Sequence, residues 1–187
     1  FAIAAVAAER GAEVVLVAGP VHMATPAGVR RIDVRSAAQM HDAVMAALPC
    51  DAYIGAAAVA DFTPLAIASN KLKKQPGQDT LVLELVKTRD ILAEVAAHVA
   101  RPRLVVGFAA ETDNVAGYAR GKLERKGVDL ICANRVGIAG GGFESDDNAL
   151  LVIDRDGERA LGPASKTMLA GELLDIVAGR LSARGVG

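Results

Sequence analysis

Cysteine and histidine are scarce in this sequence, and neither sign of charge dominates it. Cys50 and Cys132 stand far apart with no second Cys or His at ligand spacing, which excludes a disulfide framework and a zinc site of the familiar kind. His22, His41 and His98 are just as scattered and are read as residues without a metal or catalytic role. Lys and Arg number 21 against 22 for Asp and Glu, a net charge of -1, so no broad basic field exists to hold a nucleic-acid backbone. Any phosphate site must be local. No apolar run reaches the roughly 18 residues of a membrane-crossing helix, and no basic, apolar leader opens the chain. The expectation is a soluble cytoplasmic protein that binds neither nucleic acid nor membrane. A G-x-G-x-x-G turn between a strand and a helix is missing as well.

What is present suits one globular domain: 187 residues, 52% of them hydrophobic, arranged as short apolar runs alternating with helical patterns. Residues 1–10 read as an Ala-rich helix, 13–18 (EVVLVA) as a buried strand and 30–34 as a second strand. Ser36 can cap a helix over 37–48, and 52–57 is the next strand. The alternating run 80–86 (TLVLELV) predicts an antiparallel strand with one wetter face. Asp90 caps a helix reaching about residue 99, after which 103–108, 130–133 and 150–153 read as strands, and 114–126 and 165–181 as helices. Strands alternating with helices in this way predict right-handed crossovers and a mostly parallel, doubly wound sheet covered on both faces, a Rossmann-like three-layer α/β domain.

Ligands of such sheets lie beyond the carboxyl ends of the strands. In AAAVAD (56–61) small residues permit close approach to the backbone, and Asp61 offers a carboxylate for a sugar hydroxyl or a hydrated metal; a small-residue turn with a solvated Asp explains it equally. In KLKK (71–74), strand alternation would put Lys71 and Lys73 on one side and Lys74 on the other. Ammonium groups there could hold a triphosphate, or could only guard a sheet edge. TRDIL (88–92) joins a strand to a helix N-terminus, a phosphate seat or a simple cap. GFAAET (107–112) carries Phe108, able to stack on a base or to pack in the core, and Lys122 and Lys126 share one face of the following helix. Asn134 and Asn148 are amides near strand ends, and Gly140, Gly141 and Gly142 mark a loop.

Each motif is weak singly. In order, AAAVADF, KLKK, TRDIL, GFAAET, KLERKGVDLICAN and FESDDNAL resemble the phosphopantothenoylcysteine synthetase domain of bacterial two-domain coenzyme A biosynthesis proteins, over essentially the whole chain. The resemblance implies a CTP-dependent, magnesium-requiring ligase joining 4'-phosphopantothenate to L-cysteine through an acyl cytidylate, releasing pyrophosphate and then CMP. It implies nucleotide contacts at Asp61, Lys71, Arg89, Asp90, Ile91, Leu92, Phe108, Lys122 and Lys126, with Lys71 the catalytic residue, and it names no metal ligands. It further implies a homodimer formed partly through the extended segment around the lysine motif. A fused decarboxylase domain would carry the FMN. The family's preceding strand and Gly-rich, Asn-containing loop would lie ahead of Phe1, leaving residues 1–187 catalytically incomplete, and Arg89 stands where the family motif has Pro. The readings from other classes are a nicotinamide-dependent Rossmann oxidoreductase and a nucleotide-binding module without catalysis.

Overall fold

The computed structural model describes residues 1–73, 79–111, 113–135 and 147–183. Lys74, Thr112 and the glycine loop 140–142 lie outside the described residues. The elements follow the alternation of the sequence: α1 (Ala2–Glu9), β1 (Val14–Ala18), β2 (Val29–Asp33), α2 (Ala37–Ala46), β3 (Ala52–Gly55), β4 (Phe62–Pro64), β5 (Leu85–Lys87), α3 (Ile91–Ala97), β6 (Leu104–Glu111), α4 (Val115–Lys126), β7 (Leu130–Arg135), β8 (Asp147–Ile153), β9 (Glu158–Ser165) and α5 (Lys166–Ala183).

Parallel pairing forms the centre of the fold, as the sequence predicts. β1 pairs with β2, and β3, β6 and β7 form a second parallel set, with Ile54 opposite Val106 and Phe108 opposite Cys132. β8 and β9 extend that set antiparallel, giving the order β3-β6-β7-β8-β9. Among the described residues no ladder joins β1 to β3. The strand expected over 80–86 is shorter and displaced: Leu85–Lys87 forms a strand with β4 as its antiparallel partner, and the Glu84 carbonyl, accepting from the Leu65 N–H at 2.9 Å, continues the pairing by one residue.

The period of two along β6 and β7 sorts their side chains into two cores. Val105, Ile131 and Ala133 meet Val44 of α2, Ile91 and Val95 of α3, and Ala119 and Leu123 of α4. Leu104, Val106, Leu130 and Cys132 turn the other way, onto Leu169, Leu173 and Val177 of α5. α1 completes this second layer by seating Val6 against Ala170 and Leu174. Leu104, Leu130, Ile131, Ile153 and Leu173 are fully enclosed, and each such side chain contributes about 1.5–3 kcal/mol of transfer free energy. Cys132 belongs to this core, and burial pushes its thiol up to about 12, leaving it protonated and inert.

Local signals set the helix ends. Ser36 Oγ accepts from the Gln39 N–H at 3.2 Å, and Asp90 Oδ1 accepts from the Ala93 N–H at 3.1 Å. α4 stops at Gly127, whose φ of 65° is the left-handed cap position that glycine occupies without a Cβ clash.

Candidate functional site

The carboxyl ends of β3 and β6 deliver two of the sequence motifs to neighbouring positions, and the β5–α3 step ties them together. Thr88 donates from Oγ1 to the Ala60 carbonyl at 2.6 Å and from its N–H to the Asp61 carbonyl at 2.9 Å. AAAVAD and TRDIL are therefore one structural unit. Asp61 itself is exposed.

The next residues face α4. The free oxygen of the Asp90 carboxylate pairs with Lys126 Nζ. Burial alone would raise this carboxyl, but the bond from Lys126, the Ala93 N–H and the charges of Lys126 and Lys87 hold it below the usual carboxylate range. One turn back on α4, Lys122 Nζ donates to the Phe108 carbonyl at 2.7 Å. Burial, then the charge of Lys126, lowers the Lys122 pKa below that of an ordinary lysine. Two ammonium groups are thus fixed on one helix face between β6 and the α3 cap, each bonded to an oxygen of the fold.

Ile91 and Leu92 have a different part. Ile91 is buried and Leu92 packs against the same core, so their backbone is what they can offer a ligand. Gly107 makes this packing possible: a Cβ there would lie 2.7 Å from Leu92 Cδ2 and 2.9 Å from Ile131 Cδ1. Gly107 opens the GFAAET motif, and its local signal is a glycine inside the apolar run LVVGFAA. Phe108 is half-buried, with its ring against the α5 side of the sheet.

The structure does not bring every predicted residue together. Lys71 and Lys73 are exposed on an irregular segment beyond β4, so strand alternation does not order them, and Lys71 has no hydrogen bond or ion pair to another described residue. Arg89 turns to α3 and α2, forking onto Glu94 through Nε at 3.0 Å and through Nη2. Asn134 lies within β7 opposite Ala110, and Asn148 spends its Oδ1 on the Ala149 N–H at 2.9 Å. Among the described residues there is no group of three or more His, Cys, Asp or Glu side chains able to share a metal, and no helix long and apolar enough to cross a membrane.

This arrangement defines an α/β domain with a polar, lysine-bearing face at the carboxyl ends of its parallel strands. The chain belongs to the family described as the DNA/pantothenate metabolism flavoprotein C-terminal domain, whose model matches residues 1–181. It is 50% identical over 178 residues to the coenzyme A biosynthesis bifunctional protein CoaBC of Vibrio cholerae, an alignment covering 95% of this chain and 45% of the relative. The corresponding protein of Vibrio parahaemolyticus is 51% identical over 94% of this chain and 44% of its own length. The chain thus spans less than half the length of these relatives. Among solved structures, the crystal structure of the C-terminal domain of a coenzyme A biosynthesis bifunctional protein CoaBC superposes with a TM-score of 0.80 at 34% identity, covering 97% of this chain and 81% of the other.

Proposed function

We propose that this domain is the phosphopantothenate–cysteine ligase part of a cytoplasmic bifunctional coenzyme A biosynthesis protein, and that it uses CTP. The observation that carries the reading is the union of AAAVAD, TRDIL and the Lys122/Lys126 face at one edge of the sheet, in a chain half identical to proteins of that name. In the first step a carboxylate oxygen of 4'-phosphopantothenate bonds to the α-phosphorus of CTP, and the bond to pyrophosphate breaks. In the second the cysteine amine bonds to the acyl carbon, CMP leaves with the carboxyl oxygen, and the amine proton passes to solvent.

The chain's own residues act by holding charge. Lys122 and Lys126 would bind acceptor oxygens of the nucleotide, Asp61 a sugar hydroxyl, and Phe108 would stack on the base. Lys71, exposed and uncommitted to other described residues, is free to swing onto the triphosphate and stabilise charge moving to pyrophosphate. Magnesium would enter on the phosphate oxygens and share the charge that gathers on pyrophosphate. The β4–β5 arm supports the homodimer reading, because Phe62, Leu65, Val82 and Leu85 are exposed apolar residues on or beside it. The family membership weighs against the nicotinamide alternative. An FMN-bearing decarboxylase domain belongs to the rest of the proposed protein.

The test is thermal unfolding of the chain with magnesium and, separately, CTP, ATP and NADP, followed by pyrophosphate release from the whole protein. A ligand at a hundred times its Kd adds roughly 2.7 kcal/mol, or roughly 5 to 10 °C in Tm for a domain of this size. A shift with CTP, and pyrophosphate release that needs phosphopantothenate, are expected. A shift with NADP alone would overturn the assignment.

A further inference from the structure

His41 is buried, 4% exposed, on α2, a helix that supplies none of the proposed nucleotide contacts. It sits beside Val44 and Met40 in the apolar layer beneath α3, where an imidazole without partners would be costly. Its partners are all charged. Nε2 lies 3.1 Å from Glu94 Oε2 on α3, and Nδ1 lies 2.9 Å from Asp42 Oδ1 and 3.4 Å from Arg89 Nη1. Glu94 in turn takes the fork of Arg89, and those bonds, Arg89 first and His41 after, lower its pKa. In the neutral Nε2–H form the ring donates to Glu94, and its Nδ1 lone pair can accept from Arg89 but faces the Asp42 carboxylate at 2.9 Å with no proton between them. Protonated, it donates to both Glu94 and Asp42 and repels the guanidinium.

The position of Arg89 gives this cluster its significance. Thr88 is tied to the Ala60 and Asp61 carbonyls, and Asp90 to Lys126. Between them Arg89 anchors the same short step to α2 and α3. Three successive side chains thus bind three separate parts of the fold, and the middle one is held from outside the site.

We propose that His41 and Glu94 are positioning residues that act through Arg89 to fix the 88–90 step, and with it the Asp61 loop and Lys126, for nucleotide binding. This rests on the ligase reading for the identity of the nucleotide. Neither residue touches the reacting atoms, so their removal raises the KM for CTP and spares kcat.

The experiment is a double-mutant cycle in the whole protein with Glu94→Ala and Arg89→Ala, with His41→Gln alongside. It is read by steady-state pyrophosphate release and by hydrogen exchange of the 88–92 amides. Glu94→Ala is expected to raise the KM for CTP at least fivefold with kcat within twofold, and to quicken exchange at 88–92 but not at 104–106. Against an Arg89→Ala background it should do little more, since coupled residues are non-additive. His41→Gln should move KM in the same direction. An unchanged KM, a fall in kcat of equal size, or full additivity in the cycle overturns the proposal. If the wild-type protein releases no pyrophosphate from any nucleoside triphosphate, the ligase reading fails first and the exchange data decide the cluster's role. Coupled loosening of 88–92 in the cycle then sustains the positioning role, and independent or absent loosening overturns it.

Discussion

Thr88 Oγ1 donates to the carbonyl oxygen of Ala60 at 2.6 Å across a sequence separation of 28 residues. That bond fastens the loop carrying Asp61 to the helix that presents Asp90, so two carboxylates from distant motifs move as one. Thr88→Val keeps the shape and the N–H bond to Asp61 but loses the hydroxyl. The expected cost is about 1 kcal/mol, roughly 2–4 °C in Tm, with weaker CTP binding by calorimetry; Thr88→Ser should restore both. Unchanged affinity in Thr88→Val would mean the two loops are held together by other contacts.

Lys71→Gln separates catalysis from folding. The side chain is exposed and unpaired with other described residues, so Tm should change by no more than about 1–2 °C, as for an ordinary surface substitution. Pyrophosphate release at saturating CTP and phosphopantothenate should drop at least a hundredfold, the scale of losing one charge-stabilising donor. Near-normal release would remove Lys71 from the mechanism.

Asp90 serves as both helix cap and ion-pair partner, and two substitutions divide the roles. Asp90→Asn keeps a good cap and loses the pair with Lys126, whereas Asp90→Ala loses both and should cost about 1 kcal/mol more. The wild-type carboxyl is held low, so its stabilisation is complete above the ordinary carboxylate range and is lost as pH falls through the lowered native value. The Tm gap between wild type and Asp90→Asn should therefore close in acid. A gap that stays constant to the lowest accessible pH would deny the ion pair its role.

Lys122 titrates in the opposite direction. Its native pKa is lowered, so between that value and the ordinary lysine value the unfolded chain holds more protons, and stability gains from this residue as pH climbs through that window. Binding of an anionic nucleotide should weaken over the same window as the ammonium is lost. Calorimetric Kd values for CTP against pH should show an alkaline arm that Lys122→Met abolishes and Lys122→Arg moves out of range. Persistence of the arm in Lys122→Met would assign it to another group.

The sequence made the central elements legible because single local signals decide them: the apolar runs of β6 and β7, and Ser36 and Asp90 as caps. β4 is three residues including Pro64, too short to show a period, and it exists only because β5 lies opposite. β9 reads ERALGPAS, where Gly162 and Pro163 hide a strand whose register with β8 shifts between Asn148 and Leu150. The lysine pair on α4 followed from helical spacing, but its partners did not. Nothing local says that Lys126 meets Asp90, that Gly107 admits Leu92, or that an apparently idle His41 meets Glu94, because these contacts are made by tertiary packing.

The first half of β6 is enclosed on both faces, with Leu104, Val105 and Val106 wholly inaccessible and only Ala110 exposed near its carboxyl end, while the β4–β5 arm has exposed residues along its whole length. The two sides of the site therefore differ in what ordering costs them. Contacts made by the Phe108 carbonyl and Lys122 are preset during folding and exact little entropy at binding. On the proposed ligase reading, contacts recruited from the arm and from Lys71 would lose conformational freedom only at nucleotide binding, so association should be enthalpy-driven with an opposing entropy and a negative heat-capacity change. On that reading, the cost of ordering at binding therefore falls on the arm that carries Lys71.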